Sequence, residues 1–231
     1  MANTTTEARN IDMVFCIDGT GSMGPCIEQV KSCARRFHLE FVSAMTDLGS
    51  DIDSMRIKIV VFRDYGSDEN QSMIESPFYE LPQDEPEFAD FMKDIVAKGG
   101  GDAPENGLEA LYYAMKSDFT QGAKDRQVIV LFTDDDALEL GERAGSEYYP
   151  RDMVDGTGLL TTWMCSSQDG SVKLCERNKR LVLFAPAGTK YQKLTASFNR
   201  SLFEPVEMNK GLGEMDFKDI IKIIAASASN K

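Results

Sequence analysis

IDMVFCIDGTGSMG, residues 11–24, is the stretch on which the fold turns. Residues 11–18 are a short apolar run closed by a charge, Asp18, and read as a buried strand. DGTGSMG follows as a loop. From Pro25 the apolar positions Ile27, Val30, Ala34, Phe37, Phe41, Met45 and Leu48 recur at helical spacing. Pro25 suits a helix start and Gly49 a helix stop. The opening is therefore strand, loop, long helix.

The same alternation continues outward. RIKIVVFRDY (56–65) reads as a second strand, and SMIESPFYEL (72–81) as an edge strand interrupted by Pro77. A short helix is expected over 86–96. GGGDAPEN leads into another, with Leu108, Leu111, Tyr112 and Met115 on one face. RQVIVLFTD (126–134) is the plainest buried strand, RLVLFAP (180–186) is another, and residues 215–226 close the chain as an amphipathic helix. Strands separated by helices need crossover connections. The expected fold is α/β, doubly wound and three-layered in the Rossmann manner. Its sheet is mostly parallel, of about six strands, with one antiparallel edge strand. Ligands in such sheets bind at the carboxyl ends of the strands. Asp18 closes the first strand, Asp134 closes the central one, and Asp102 lies in the Gly-rich loop.

The chain has 231 residues, enough for one domain over 11–231 after a flexible lead-in at 1–10. Its net charge of −13 argues against nucleic acid or an anionic membrane as partner, and suits cations or basic protein surfaces. The first ten residues carry neither the basic nor the apolar part of a signal peptide. No apolar run approaches the roughly 20 residues that span a bilayer. The five cysteines form no CxxC pair, so a disulfide framework or zinc site is not expected. A cytoplasmic location follows.

Three readings compete for the loop. Gly19, Gly21 and Gly24 match the dinucleotide fingerprint, but Asp18, Asp102 and Asp134 would repel a pyrophosphate. Asp18-Gly19-Thr20 matches the end of the DxDGT phosphatase motif, yet Cys16 stands where the nucleophilic Asp belongs. The third is a metal site. Asp18, Thr20 and Ser22 alternate along the loop, and hard oxygen donors suit Mg²⁺, Mn²⁺ or Ca²⁺. It is the reading that uses every polar residue of the loop.

These residues resemble the von Willebrand factor A domain, whose metal-ion-dependent adhesion site carries DxSxS after the first strand. Here the string is Asp18-Gly19-Thr20-Gly21-Ser22, with a Thr that keeps the hydroxyl. The resemblance implies further ligands at Asp102, in the place of a family Thr, and at Asp134 of VIVLFTDDD. FRDYG, PFYEL and GGGDAPEN look closest to the intracellular branch found beside alpha-kinases and in bacterial stress or signalling systems. The resemblance implies a non-enzymatic interaction module. Mg²⁺, with Mn²⁺ or Ca²⁺ as alternatives, would receive an Asp or Glu from a protein partner, and binding could shift the last helix. A phosphohydrolase would need a general base or second metal, and the sequence offers only carboxylates nearby. A purely structural site is the third option.

Plainer roles stand beside these. Asp102 and Glu105 have capping-box spacing, so Asp102 is also a helix-cap candidate. Asp135 and Asp136 read as solvated or turn-capping. His38 has no partners that would make it a base. Met13, Met45, Met92 and Met115 look like core filler. Residues 135–179 exceed one simple connection. They are either padding or a rim elaboration that sets partner choice, with Asp135, Tyr148, Tyr149 and Trp163 as candidate partner-binding residues.

Overall fold

The computed structural model describes residues 8–101, 104–122, 124–165, 171–208 and 215–229. Seven strands form one sheet. β1 (Arg9–Asp18), β2 (Ile52–Phe62), β5 (Asp125–Phe132), β6 (Lys179–Pro186) and β7 (Ser201–Val206) run parallel. The short β3 (Met73–Glu75) and β4 (Tyr79–Leu81) both pair antiparallel with β2. The sheet order is β3-β2-β1-β5-β6-β7. The expected single antiparallel edge is thus two pieces on one edge, parted around Pro77. The seventh strand, β7, is half-buried and carries Pro205, which an edge strand tolerates. Arg9 and Asn10, expected in the lead-in, belong to β1, where Arg9 pairs with Ile52.

Side-chain alternation along β1 separates the two faces. Ile11, Met13, Phe15 and Ile17 pack with Phe37 and Phe41 of α1 (Gly24–Asp47), Phe88 and Met92 of α2 (Glu85–Asp94), and Ile220 and Ile224 of α6 (Phe217–Ser229). Val14 and Cys16 pack with Leu108 and Leu111 of α3 (Gly107–Met115), Leu159 and Trp163 of α4 (Gly156–Trp163), and Tyr191 of α5 (Lys190–Leu194). Because helices cover both faces, β1, β5 and β6 are buried at nearly every position, which is why they read as continuous apolar runs. Among the described residues no helix is long and apolar enough to cross a membrane.

Chain order reverses between β1 and β5. From β1 the chain moves one way to β2, and it later returns to β5 on the other side of β1. The carboxyl ends of these two strands therefore flank the crevice where open α/β sheets bind ligands.

Candidate functional site

Asp18 ends β1 and is fully buried. Its Oδ1 accepts from the Thr20 backbone N–H at 2.9 Å and from Thr20 Oγ1 at 2.6 Å. Its Oδ2 accepts from Thr133 Oγ1 at 2.7 Å, just past the end of β5. Thr20 Oγ1 lies 3.4 Å from Ser22 Oγ, which in turn donates to Asp134 Oδ1 at 2.9 Å. Asp18, Thr20, Ser22 and Asp134 thus form one continuous chain of oxygens across the switch point. Asp134 is buried, whereas Ser22 is solvent-exposed. Burial pushes the Asp18 carboxyl up to about 6, against the lowering effect of the Thr20 and Thr133 hydrogen bonds.

The loop is held from beneath by Arg63, which is almost completely buried. Its Nε donates to the carbonyls of Gly19 and Lys98, both at 3.0 Å, and its two terminal nitrogens to those of Gln71 (2.7 Å) and Val96 (2.9 Å). Gly19 is packed onto this clamp: a Cβ there would lie 2.6 Å from Val61 Cγ1 and 2.8 Å from Arg63 Cζ. This close approach accounts for the first glycine of the apparent dinucleotide fingerprint. Cys16, at the phosphatase nucleophile position, is buried in the second core face with its thiol donating to the Ala110 carbonyl.

The Gly-rich loop comes up beside Thr20. Asp102 lies outside the described residues. The capping role expected for it lies there too; α3 itself begins at Gly107, with Asn106 at its N-cap position. Glu105, expected only as the partner in that cap, is a residue the sequence reading missed. It is 3% exposed, its Oε2 has no hydrogen-bond partner among the described residues, and burial reinforced by Asp18, Asp64, Asp68 and Asp135 pushes its carboxyl up to about 9. A Cβ on Gly100 would lie 2.6 Å from Thr20 Cγ2 and 2.8 Å from Glu105 Oε1, so the two side chains share that spot. Gly100, with φ of +96°, sits in a backbone region that suits glycine.

The segment after β5 closes the back of the rim. The Asp135 N–H donates to Thr133 Oγ1 at 3.2 Å and its Oδ1 accepts from the Asp136 N–H. Asp136 Oδ1 accepts from the Ala137 and Lys190 N–H groups, both at 2.8 Å, so it caps a turn as anticipated. Arg143 makes a two-pronged pair with the buried Asp64, at 2.6 and 3.0 Å. The rim elaboration is thereby anchored to the loop after β2.

Two expected partner-binding residues are not on the surface. Trp163 is fully buried, stacked on Phe198 at 5.4 Å with its Nε1 donating to the Asn199 carbonyl. Tyr149 is buried too, its hydroxyl donating to Glu109 Oε1 at 2.9 Å and its ring edge-on to Tyr65. Both satisfy their polar atoms internally. Tyr148 is exposed, at 41%, and Asp135 is half-buried. Among the described residues no three His, Cys, Asp or Glu side chains form a metal-binding group.

Sheet order, switch point and oxygen-rich loop define an α/β domain that presents a loop-built site above parallel strands. The chain belongs to the von Willebrand factor type A domain family, whose profile matches residues 13–137. Solved structures similar to it include two of the pilus adhesin SpaC from Lactobacillus rhamnosus GG. One has a TM-score of 0.56 at 13% identity, and the other, an open conformation, 0.53 at 12%. Each match covers 97% of this chain and 30% of the adhesin chain, so the protein spans less than a third of that neighbour. No curated protein matches the chain.

Proposed function

We propose that the domain is a protein-interaction module in which a divalent cation bridges it to a carboxylate of a protein partner. The continuous oxygen chain Asp18–Thr20–Ser22–Asp134 carries this reading. Its donors are all hard oxygens, the set that Mg²⁺, Mn²⁺ and Ca²⁺ prefer. Two are neutral hydroxyls. Neutral hydroxyls leave a cation more of its charge than carboxylates in their place would, so it can still accept a carboxylate from outside. Exposure of Ser22 at the rim gives that carboxylate a way in. Mg²⁺ is the cation we assign, since the ligand set is small. The adhesin neighbour is itself a binding protein by name, which suits an interaction role.

The role we assign is binding without catalysis, in the cytoplasm. Buried thiols such as Cys16 and Cys26 suit a reducing compartment. We take residues 11–231 as one domain and the 135–179 segment as its rim elaboration, with Tyr148 and Asp135 offered to the partner. The test is thermal unfolding of chelated protein with and without millimolar Mg²⁺, Mn²⁺ or Ca²⁺. At a hundred times Kd a site adds about 2.7 kcal/mol, a shift of several degrees. The rise is expected in wild type and absent in Asp18→Asn/Ser22→Ala. No rise in wild type overturns the cation site. Turnover of a phosphate ester that is lost in Asp18→Asn would instead establish a phosphohydrolase.

A further inference from the structure

Glu105 is buried at the wall of the site with an unsatisfied oxygen, and its position is fixed by more than its side chain. Its N–H donates to the Asp136 carbonyl at 3.3 Å and its carbonyl accepts from the Leu138 N–H at 2.8 Å, forming a parallel bridge with Ala137. The backbone of the Gly-rich loop is therefore stitched to the segment just past Asp134. From there the side chain reaches the spot it shares with Thr20, against Gly100.

A buried carboxyl group normally finds a cation or a set of donors. The guanidinium groups of Arg63 and Arg143 both feel the charge of Glu105. Arg63 spends its donors on four backbone carbonyls, and Arg143 is paired with Asp64. Glu105 Oε2 has no partner from either. The Glu105 carboxyl thus sits with its Oε1 against the same spot as the Thr20 methyl, at the edge of the oxygen chain, and among the described residues no donor satisfies its Oε2.

We propose that Glu105 is a ligand of the divalent cation, supplying the contact from the Gly-rich loop on the Thr20 side. This rests on the cation reading above and reassigns the loop's ligand from Asp102 to Glu105. The bound ion would then face the carboxylates of Asp18 and Glu105 on the inner side, with Asp134 reached through its bond from Ser22.

Calorimetric titration of the chelated protein with Mn²⁺ and Mg²⁺ tests it, in wild type, Glu105→Gln and Asp102→Asn. Gln keeps the shape and removes the charge, so a carboxyl that merely fills space would be replaced without effect on the metal. The expected result is at least a tenfold loss of affinity in Glu105→Gln and a much smaller loss in Asp102→Asn. Water-proton relaxation of the Mn²⁺-loaded variant should also report an added inner-sphere water. Wild-type affinity in Glu105→Gln overturns the inference while leaving the cation site intact. Loss in Asp102→Asn alone overturns it as well. Absence of metal binding in wild type removes the cation reading itself. Circular dichroism in chelator checks the fold of the amide variant. If it does not fold, Glu105→Asp decides: the shortened carboxylate should weaken binding, and unchanged affinity overturns the assignment.

Discussion

Thr133 donates its hydroxyl to Oδ2 of Asp18 at 2.7 Å, joining the end of β5 to the end of β1 in the middle of the sheet. The same oxygen of Thr133 accepts from the Asp135 N–H, so one side chain orders both the buried acid and the turn beyond it. Thr133→Val keeps the shape and removes both bonds. A hydrogen bond to a charged, buried acceptor contributes about 1.5–3 kcal/mol. We expect Thr133→Val to lower stability by about 2 kcal/mol in urea denaturation at neutral pH, with or without divalent metal. A change under 0.5 kcal/mol would mean that Asp18 is held by Thr20 alone.

Arg143 and Asp64 decide whether the rim elaboration supports the site or merely lies beside it. Asp64 is almost fully buried, while Arg143 is a third exposed. Removal of the arginine leaves Asp64 with the Gly66 N–H and the Ser67 hydroxyl as its remaining donors. Arg143→Ala should therefore cost about 2 kcal/mol, less than loss of a wholly buried pair. Hydrogen exchange should quicken at the amides of residues 137–149, where backbone bonds such as Leu138 to Glu105 close the rim. Unchanged exchange in that segment would show it to be held by its apolar contacts.

Gly107 and Tyr191 offer a steric test of the second core face. A Cβ on Gly107 would fall 1.9 Å from the Tyr191 hydroxyl, a buried group with no hydrogen-bond partner among the described residues. Gly107→Ala should destabilise by about 2 kcal/mol through overpacking. Tyr191→Phe removes the atom that collides. It also removes a buried unsatisfied hydroxyl, so by itself it should be neutral or stabilising. The double-mutant cycle should show a favourable coupling of about 1 kcal/mol. Rescue should stay partial, because the Cζ carbon that the phenylalanine keeps would lie 2.9 Å from the new methyl and Phe62 Cε2 3.1 Å. An additive cycle would contradict the collision.

Legibility in the sequence followed burial. β1, β5 and β6 are covered on both faces, so their apolar runs are unbroken and their positions were readable to within a few residues. β7 was not read, because a half-buried edge strand with Ser201, Glu204 and Pro205 carries no such run. Asp18, Thr20, Ser22 and Asp134 were legible as a motif, and they do converge. Glu105 drew no notice as a site residue because its spacing to Asp102 matches a capping box, whereas α3 starts later, at Gly107. Trp163 misled because aromatic residues mark interfaces. The available signal was its spacing from Leu159, one helical turn away on the same buried stripe.

Glu109 sets a pH dependence that can be isolated from the site. It is fully buried on α3, and its Oε1 accepts from the Tyr149 hydroxyl at 2.9 Å. Burial raises its pKa above the ordinary 4.5, although the hydrogen bond from Tyr149 acts the other way. The phenols that feel its charge, Tyr65, Tyr149 and Tyr191, are themselves pushed upward by burial and stay neutral in the range of interest. Below pH 4.5 the proton is bound in both the folded and the unfolded chain, and folding bears no ionisation cost. As the pH rises, the unfolded chain releases the proton while the folded chain retains it, so stability falls until the folded pKa is passed. The limiting slope is about 1.4 kcal/mol per pH unit for one group. Glu109→Gln keeps an oxygen for Tyr149 and has no proton to release. Its stability relative to wild type, from urea denaturation at pH 4.5, 6 and 8, should therefore improve with pH. A difference that stays flat over this range would show that Glu109 ionises in the folded protein as readily as in the unfolded one.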